Sequence, residues 1–191
     1  KGLEKSAVIL VNFKEVNSTN NSAIKIIQNS KNRFGIVVAD RQKKGRGQYG
    51  KKWKSYKGNL FVSIFFTLDN INLSLNNITR INCLLLKKLL NFYYKKKITI
   101  KKPNDLLINK KKICGILQET IRKSGETFII VGIGINLIKS PNIKSYPTTN
   151  LFNLTNIKIE RKDVIIKLIK IYEDFIPKFC KFEIKKINKV F

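Results

Sequence analysis

The apolar residues of this chain fall into short runs whose spacing changes from element to element. Residues 7–13 (AVILVNF) are β-branched and apolar and predict a strand. The polar turn Asn17-Ser18-Thr19-Asn20 then supplies helix-capping side chains ahead of Ala23, Ile24 and Ile27, which predict a helix. A second strand is expected over 35–40 (GIVVAD), and a third where LFVSIFFTL begins at Leu60. Helical spacing appears at Ile78, Ile81, Leu85, Leu86, Leu89 and Leu90, within 78–94, and returns over 161–179. Between those helices, 97–102, 105–121 and 126–137 read as three or four strands joined by basic or glycine-containing turns. Helices separating groups of antiparallel hairpins predict an α+β fold: a mixed, largely antiparallel sheet with helices packed on one face.

One stretch breaks the pattern. Residues 41–59 (RQKKGRGQYGKKWKSYKGN) form a long polar loop, and a loop of that length in a compact domain tends to be a binding loop or lid. Within it, Gly45-Arg46-Gly47 joins two residues that let a ligand approach the backbone to a planar fork of donors suited to carboxylate or phosphate. The tripeptide alone fits a flexible basic loop tip as well.

Composition narrows the chemistry. The chain has 191 residues, 43% of them hydrophobic, and no linker divides it, so one well-cored domain is expected. Apolar runs such as 60–66 stop short of the roughly 20 residues a membrane helix needs, and no signal segment opens the sequence, which predicts an intracellular protein without a membrane partner. Cys83, Cys114 and Cys180 lack metal-ligand spacing and read as reduced structural thiols; no metal site is expected. With no histidine, imidazole bases and His-ligated metals are excluded within this chain. The net charge of +27 suits a polyanion, yet lysine is spread along the whole sequence instead of marking a footprint. A basic nucleic-acid-binding module is therefore the alternative from a different functional class.

The loop's sequel carries a more specific signal. GRG is followed by Trp53 and then by Gly58-Asn59-Leu60-Phe61-Val62-Ser63, and this order resembles the signature loop of biotin protein ligases. Lys101-Lys102-Pro103-Asn104-Asp105 is similar to that family's Lys-Trp-Pro-Asn-Asp motif, and Lys112-Ile113-Cys114-Gly115-Ile116-Leu117-Gln118-Glu119 to its Lys-x-x-Gly-Ile-Leu-x-Glu. Gly132-Ile133-Gly134-Ile135-Asn136 resembles its Gly-x-Gly-x-Asn element, and Asn17-Ser18-Thr19-Asn20 its Asp-Ser-Thr-Asn turn. Five elements in the family's order span roughly residues 8–140.

The resemblance implies a class II aminoacyl-tRNA synthetase-like core over residues 1–180, with 181–191 as the start of a truncated small C-terminal barrel. It implies activation of biotin by ATP to biotinyl-5'-AMP, with Mg²⁺ on the nucleotide, and transfer of biotin to a lysine of a biotin carboxyl carrier domain, expected to be that of acetyl-CoA carboxylase. Catalysis would rest on Lys101 and Arg46. Biotin would be held by Ser18, Thr19, Asn20, Gln42, Gly45, Arg46, Gly47, Lys101 and Gly115, and ATP or the adenylate by Arg46, Gln48, Trp53, Asn104, Lys112 and Asn136. Ser18-Thr19 is also a good N-cap without a ligand, and Asn104 and Asn136 also sit where asparagine stabilises a turn. Specific DNA binding is not expected, a homodimer is, and the compartment is the cytoplasm, or a plastid if a leader has been removed. A lipoate or octanoate ligase or transferase of the same fold is the nearest competing enzyme.

Two positions depart from the family pattern. Gln48 stands where many members have a second arginine, removing a charge-assisted contact of about 1.5–3 kcal/mol. Lys102 replaces a tryptophan, exchanging an apolar wall for a charge.

Overall fold

The computed structural model describes residues 9–68 and 73–179. Its strands are β1 (Ile9–Val16), β2 (Phe34–Gln42), β3 (Leu60–Thr67), β4 (Thr99–Lys101), β5 (Asp105–Ile108), β6 (Lys111–Lys123) and β7 (Glu126–Ile135). Its helices are α1 (Thr19–Asn29), α2 (Leu75–Leu90), α3 (Leu151–Thr155) and α4 (Arg161–Phe179). Among the described residues the chain forms two compact units, 9–68 with 117–134 and 73–116 with 135–179. No helix among them is long and apolar enough to cross a membrane.

In the first unit the strand order is β1-β2-β3-β7-β6. β1 and β2 run parallel, Val11 opposite Val37 and Val16 opposite Gln42, because α1 carries the chain back between them. β3 returns antiparallel to β2, Phe34 opposite Phe66. α1 lays Ala23 and Ile27 on this sheet, where they meet Val37, Phe65, Phe128 and Ile130. Burial of each larger side chain contributes about 1.5–3 kcal/mol. The last turn of α1 has no basic residue of its own, and Lys123 of β6 supplies one by donating to the carbonyls of Ile27 and Ser30.

The second unit holds β4 and β5 and the first residues of β6, in the order β6-β5-β4. α2 starts earlier than its apolar spacing predicted, at a Ser74 cap that accepts from the Asn77 N–H, and closes with Lys87 and Lys88 against its carbonyl end. It packs against α4, and the buried Tyr172 hydroxyl donates to Asn82 Oδ1 at 2.7 Å. α3 had no counterpart in the sequence reading; its five residues are too few to show a helical period. Cys83 and Cys114 are reduced and buried, as expected. Cys180 and the 181–191 segment lie outside the described residues.

Candidate active site

The turn between β1 and α1 places three adjacent polar side chains inside the first unit: Ser18, Thr19 and Asn20 are all buried. Ser18 has the extended backbone of an N-cap, but its side chain caps nothing. The turn thus holds the expected N-cap position at Ser18 but makes no side-chain cap; the Thr19 and Asn20 side chains go to Gln42, Ser63 and Glu119 instead. The Thr19 N–H donates to Gln42 Oε1 at 2.9 Å, and the Thr19 hydroxyl stands 3.2 Å from the same oxygen. Ser63 of β3, fully buried, brings its hydroxyl to 2.8 Å from Thr19 Oγ1 and 2.5 Å from Asn20 Oδ1. The Asn20 amide nitrogen donates to Leu117 O at 3.2 Å and to Glu119 Oε2 at 2.6 Å.

These contacts have a direction. A carbonyl and a paired carboxylate only accept, so they draw the Asn20 nitrogen toward β6 and turn Oδ1 toward Ser63. A hydroxyl carries one proton, and Ser63 commits its own to Oδ1. The Ser63 oxygen is then left to accept from Thr19. Asn20 and Ser63 are thereby oriented before any ligand arrives, while the Thr19 hydroxyl keeps two acceptors within reach, Ser63 Oγ at 2.8 Å and Gln42 Oε1 at 3.2 Å.

The long loop is more structured than a polar run suggests. β2 continues through Gln42, and the Lys43 and Lys44 N–H groups bond back to the Val16 and Asn17 carbonyls. A 3-10 turn spans Gln48–Gly50, and Arg46 bridges Lys52 in antiparallel fashion, with the Gly47 N–H on Lys51 O at 2.7 Å. Gly45 is buried and accepts from the Trp53 N–H at 2.9 Å. Gln42 reaches Ser55 Oγ through its Nε2 at 3.3 Å. Arg46 lies at the partly exposed rim and grips Glu119 with both terminal nitrogens, Nη1 to Oε1 at 2.9 Å and Nη2 to Oε2 at 2.6 Å. Gln48, the departure from the arginine of the family pattern, is half-buried at the start of the 3-10 turn.

The glycines of β7 explain how these groups come together. A Cβ on Gly132 would stand 2.3 Å from Asn20 Oδ1, and one on Gly134 would stand 2.4 Å from Trp53 Cε2. Residues two apart share one face of a strand, so the pair clears a floor on which the Asn20 amide and the Trp53 ring rest.

Lys101, Asn104, Lys112, Gly115 and Asn136 belong to the second unit. Lys101 ends β4 opposite Asp105 and is exposed, as is Lys102; Gly115 is buried on β6, also opposite Asp105. Lys112 pairs with Asp105 at 2.7 Å and lies over the Tyr146 ring. Asn104 donates to Ile116 O at 2.6 Å, and the buried Asn136 donates to Thr149 O at 3.1 Å, so both asparagines brace strand and loop backbone. Burial pushes the Cys83 thiol up to about 12, with Asp105 adding to the shift, and burial likewise raises the Cys114 thiol well above its ordinary value.

Ser63, Ser55 and Glu119 were not among the predicted site residues, and the structure adds them. Ser63 had a legible signal, since a hydroxyl inside the continuous apolar run LFVSIFF must find a buried partner. Glu119 had none beyond its place at the end of a motif.

The biotin/lipoate A/B protein ligase family matches the chain by sequence over residues 13–136. Over 166 residues the chain is 30% identical to the bifunctional ligase/repressor BirA of Bacillus subtilis, covering 83% of this chain and 50% of that protein. It is 30% identical over 128 residues to the biotin--[acetyl-CoA-carboxylase] ligase of Paracoccus denitrificans, covering 65% of this chain and 53% of that protein. The chain spans about half the length of these two relatives. Its fold is similar to that of biotin protein ligase from Aquifex aeolicus in complex with biotin and ATP, at a TM-score of 0.79 and 29% identity, over 93% of this chain and 74% of that one. The glycine loop, the buried polar turn and the cleared face of β7 all fall inside the matched residues, and the chain belongs to the biotin/lipoate A/B protein ligase family.

Proposed function

We propose that this chain catalyses ATP-dependent ligation of biotin to a carrier lysine. The observation that carries the reading is the buried polar turn: Thr19, Asn20, Gln42 and Ser63 present fixed donors and acceptors inside the unit, with the Arg46 guanidinium at its rim. Such a surface suits the ureido ring of biotin, which both donates and accepts. A lipoyl or octanoyl tail has no polar group to offer it, and a site built of hydrogen-bonding groups rejects a ligand that cannot answer them. The polar turn favours biotin within a family that also handles lipoate.

In the first step a biotin carboxylate oxygen forms a bond to the α-phosphorus of ATP while the bond to the bridging oxygen breaks and pyrophosphate leaves. In the second a neutral lysine amine attacks the acyl carbon of the mixed anhydride, AMP leaves and the amine loses its proton. The nucleophile of the first step is already ionised at neutral pH, so the main barrier is repulsion between carboxylate and triphosphate. Fixed cations answer that need, and a chain with no histidine can supply them. Arg46 is one. By the resemblance Lys101 is the second, Trp53 stands by the adenylate, and Mg²⁺ enters with the phosphates of the nucleotide. The partner consistent with the Paracoccus denitrificans relative is the carrier domain of acetyl-CoA carboxylase.

The test is the intact mass of an apo carrier domain incubated with the chain, ATP, Mg²⁺ and either biotin or lipoate. A single biotinyl addition on the carrier lysine is expected. Addition of lipoate alone would move the chain to the other branch of the family, and no addition with either would remove the ligase reading.

A further inference from the structure

Resting on the ligase reading, we propose that Glu119 is a positioning residue for adenylation, one carboxylate that sets Arg46 and the ring-binding turn together. Two observations converge on it. Its Oε2 accepts from Asn20 Nδ2 at 2.6 Å and from Arg46 Nη2 at 2.6 Å, while Oε1 takes Arg46 Nη1 at 2.9 Å. Asn20 is buried and wedged between Ser63, Leu117 and the bare backbone of Gly132, so it hardly moves. Glu119 thereby transmits the place of a rigid side chain to the head of a long, mobile one.

The geometry also explains why the residue is an acid. Three N–H donors from two side chains face it, and a carboxylate accepts from all three. A carboxamide of the same size offers one acceptor atom and turns an N–H toward the remaining donors, so in either orientation Arg46 loses one of its two bonds. Arg46 approaches Glu119 end-on through both terminal nitrogens, which leaves Nε–H outside the pair and directed along the side edge of the guanidinium. Glu119 thus holds the fork while that edge remains for a substrate anion. A guanidinium released by even about 1 Å costs on the order of a hundredfold in rate where orientation decides the barrier.

The experiment compares kcat and biotin KM for biotin-dependent ATP–pyrophosphate exchange in wild type, E119Q, E119D, R46A and R46A/E119Q, with thermal unfolding run on each. Charge-based positioning predicts that Glu119→Gln lowers kcat roughly ten- to a hundredfold and that Glu119→Asp, which keeps both acceptors, retains more activity than Gln. It also predicts that Glu119→Gln adds less than about twofold once Arg46 is gone. A role in packing predicts the reverse order, Gln better than Asp, and losses that multiply in the double variant; that result overturns the inference and leaves the ligase reading intact. Wild-type protein that exchanges nothing overturns both.

Discussion

Gly134→Ala puts the arrangement of the glycine loop to a direct test. The added Cβ would lie 2.4 Å from Trp53 Cε2, 2.5 Å from Cζ2 and 2.7 Å from Nε1. Ordinary contact begins near 3.4 Å, so the ring must retreat by 3.4 − 2.4, about 1 Å. It cannot simply slide, because the Trp53 backbone N–H is bonded to Gly45 O at 2.9 Å and the loop around it is bridged at Arg46 and Lys52. Gly134 has no left-handed backbone angle, so the cost is steric alone, about 1–3 kcal/mol for forcing a methyl into packed surroundings. Trp53 is the chain's single tryptophan, which makes its fluorescence a clean probe of that one ring. The expected result is a shift of the emission maximum toward the red together with a fall in kcat/KM for ATP of roughly tenfold or more, since a misplacement of about 1 Å is costly where orientation governs rate. An unchanged emission maximum with kcat/KM for ATP within about twofold of wild type would refute both the packing of Trp53 on β7 and its part in nucleotide handling.

Other outcomes follow from the same geometry. Ser63→Ala strips Asn20 Oδ1 of its donor at a fully buried position; it is expected to lower unfolding free energy by about 1–3 kcal/mol in denaturant titration and to raise the biotin KM more than the ATP KM. Cys83 and Cys114, buried and with raised thiol pKa values, should resist iodoacetamide at neutral pH in the folded protein and label fully in guanidinium, as read by peptide mass spectrometry. Asp163 is held below its ordinary value by the Lys167 ammonium first and then by the Tyr93 hydroxyl. Its contribution to stability is thus present above the unfolded-state value and lost as pH falls through the lower folded one. Asp163→Asn should therefore lower Tm at pH 7, by on the order of a degree or two for so exposed a pair, and the difference should close as the pH is taken below the ordinary carboxylate range.

The fold was largely legible because its elements announce themselves locally. The apolar spacing around Ile78 to Leu90 and over 161–179 marked α2 and α4, and the β-branched runs marked β2, β3 and β7. Element ends were harder. α2 begins before its first core position because Ser74 caps it, and β2 runs past the expected end at Asp40 through Arg41 and Gln42, polar residues carried by pairing with Glu15 and Val16 of β1. The site was legible as motifs and much less so as contacts. Ser18-Thr19-Asn20 satisfies every local rule for a helix cap, yet the turn spends its side chains on strands more than twenty residues away, Gln42 and Ser63. Gly132 and Gly134 state no reason in sequence; the reason is the volume of Asn20 and Trp53, which only the folded chain brings against them. Glu119 sits in a half-buried strand where a solvated acid and a clamped one read alike, and the guanidinium that distinguishes them lies 73 residues earlier.

The central claim is that a buried polar turn and an anchored arginine serve biotin activation. It is tested most directly by pyrophosphate exchange into ATP, measured at moderate salt with biotin, with lipoate and with neither, beside a Lys101→Ala variant. The account predicts exchange that requires biotin, ignores lipoate and falls by on the order of a hundredfold or more in the variant. Exchange driven by lipoate, or a folded chain silent with both acids, would contradict it.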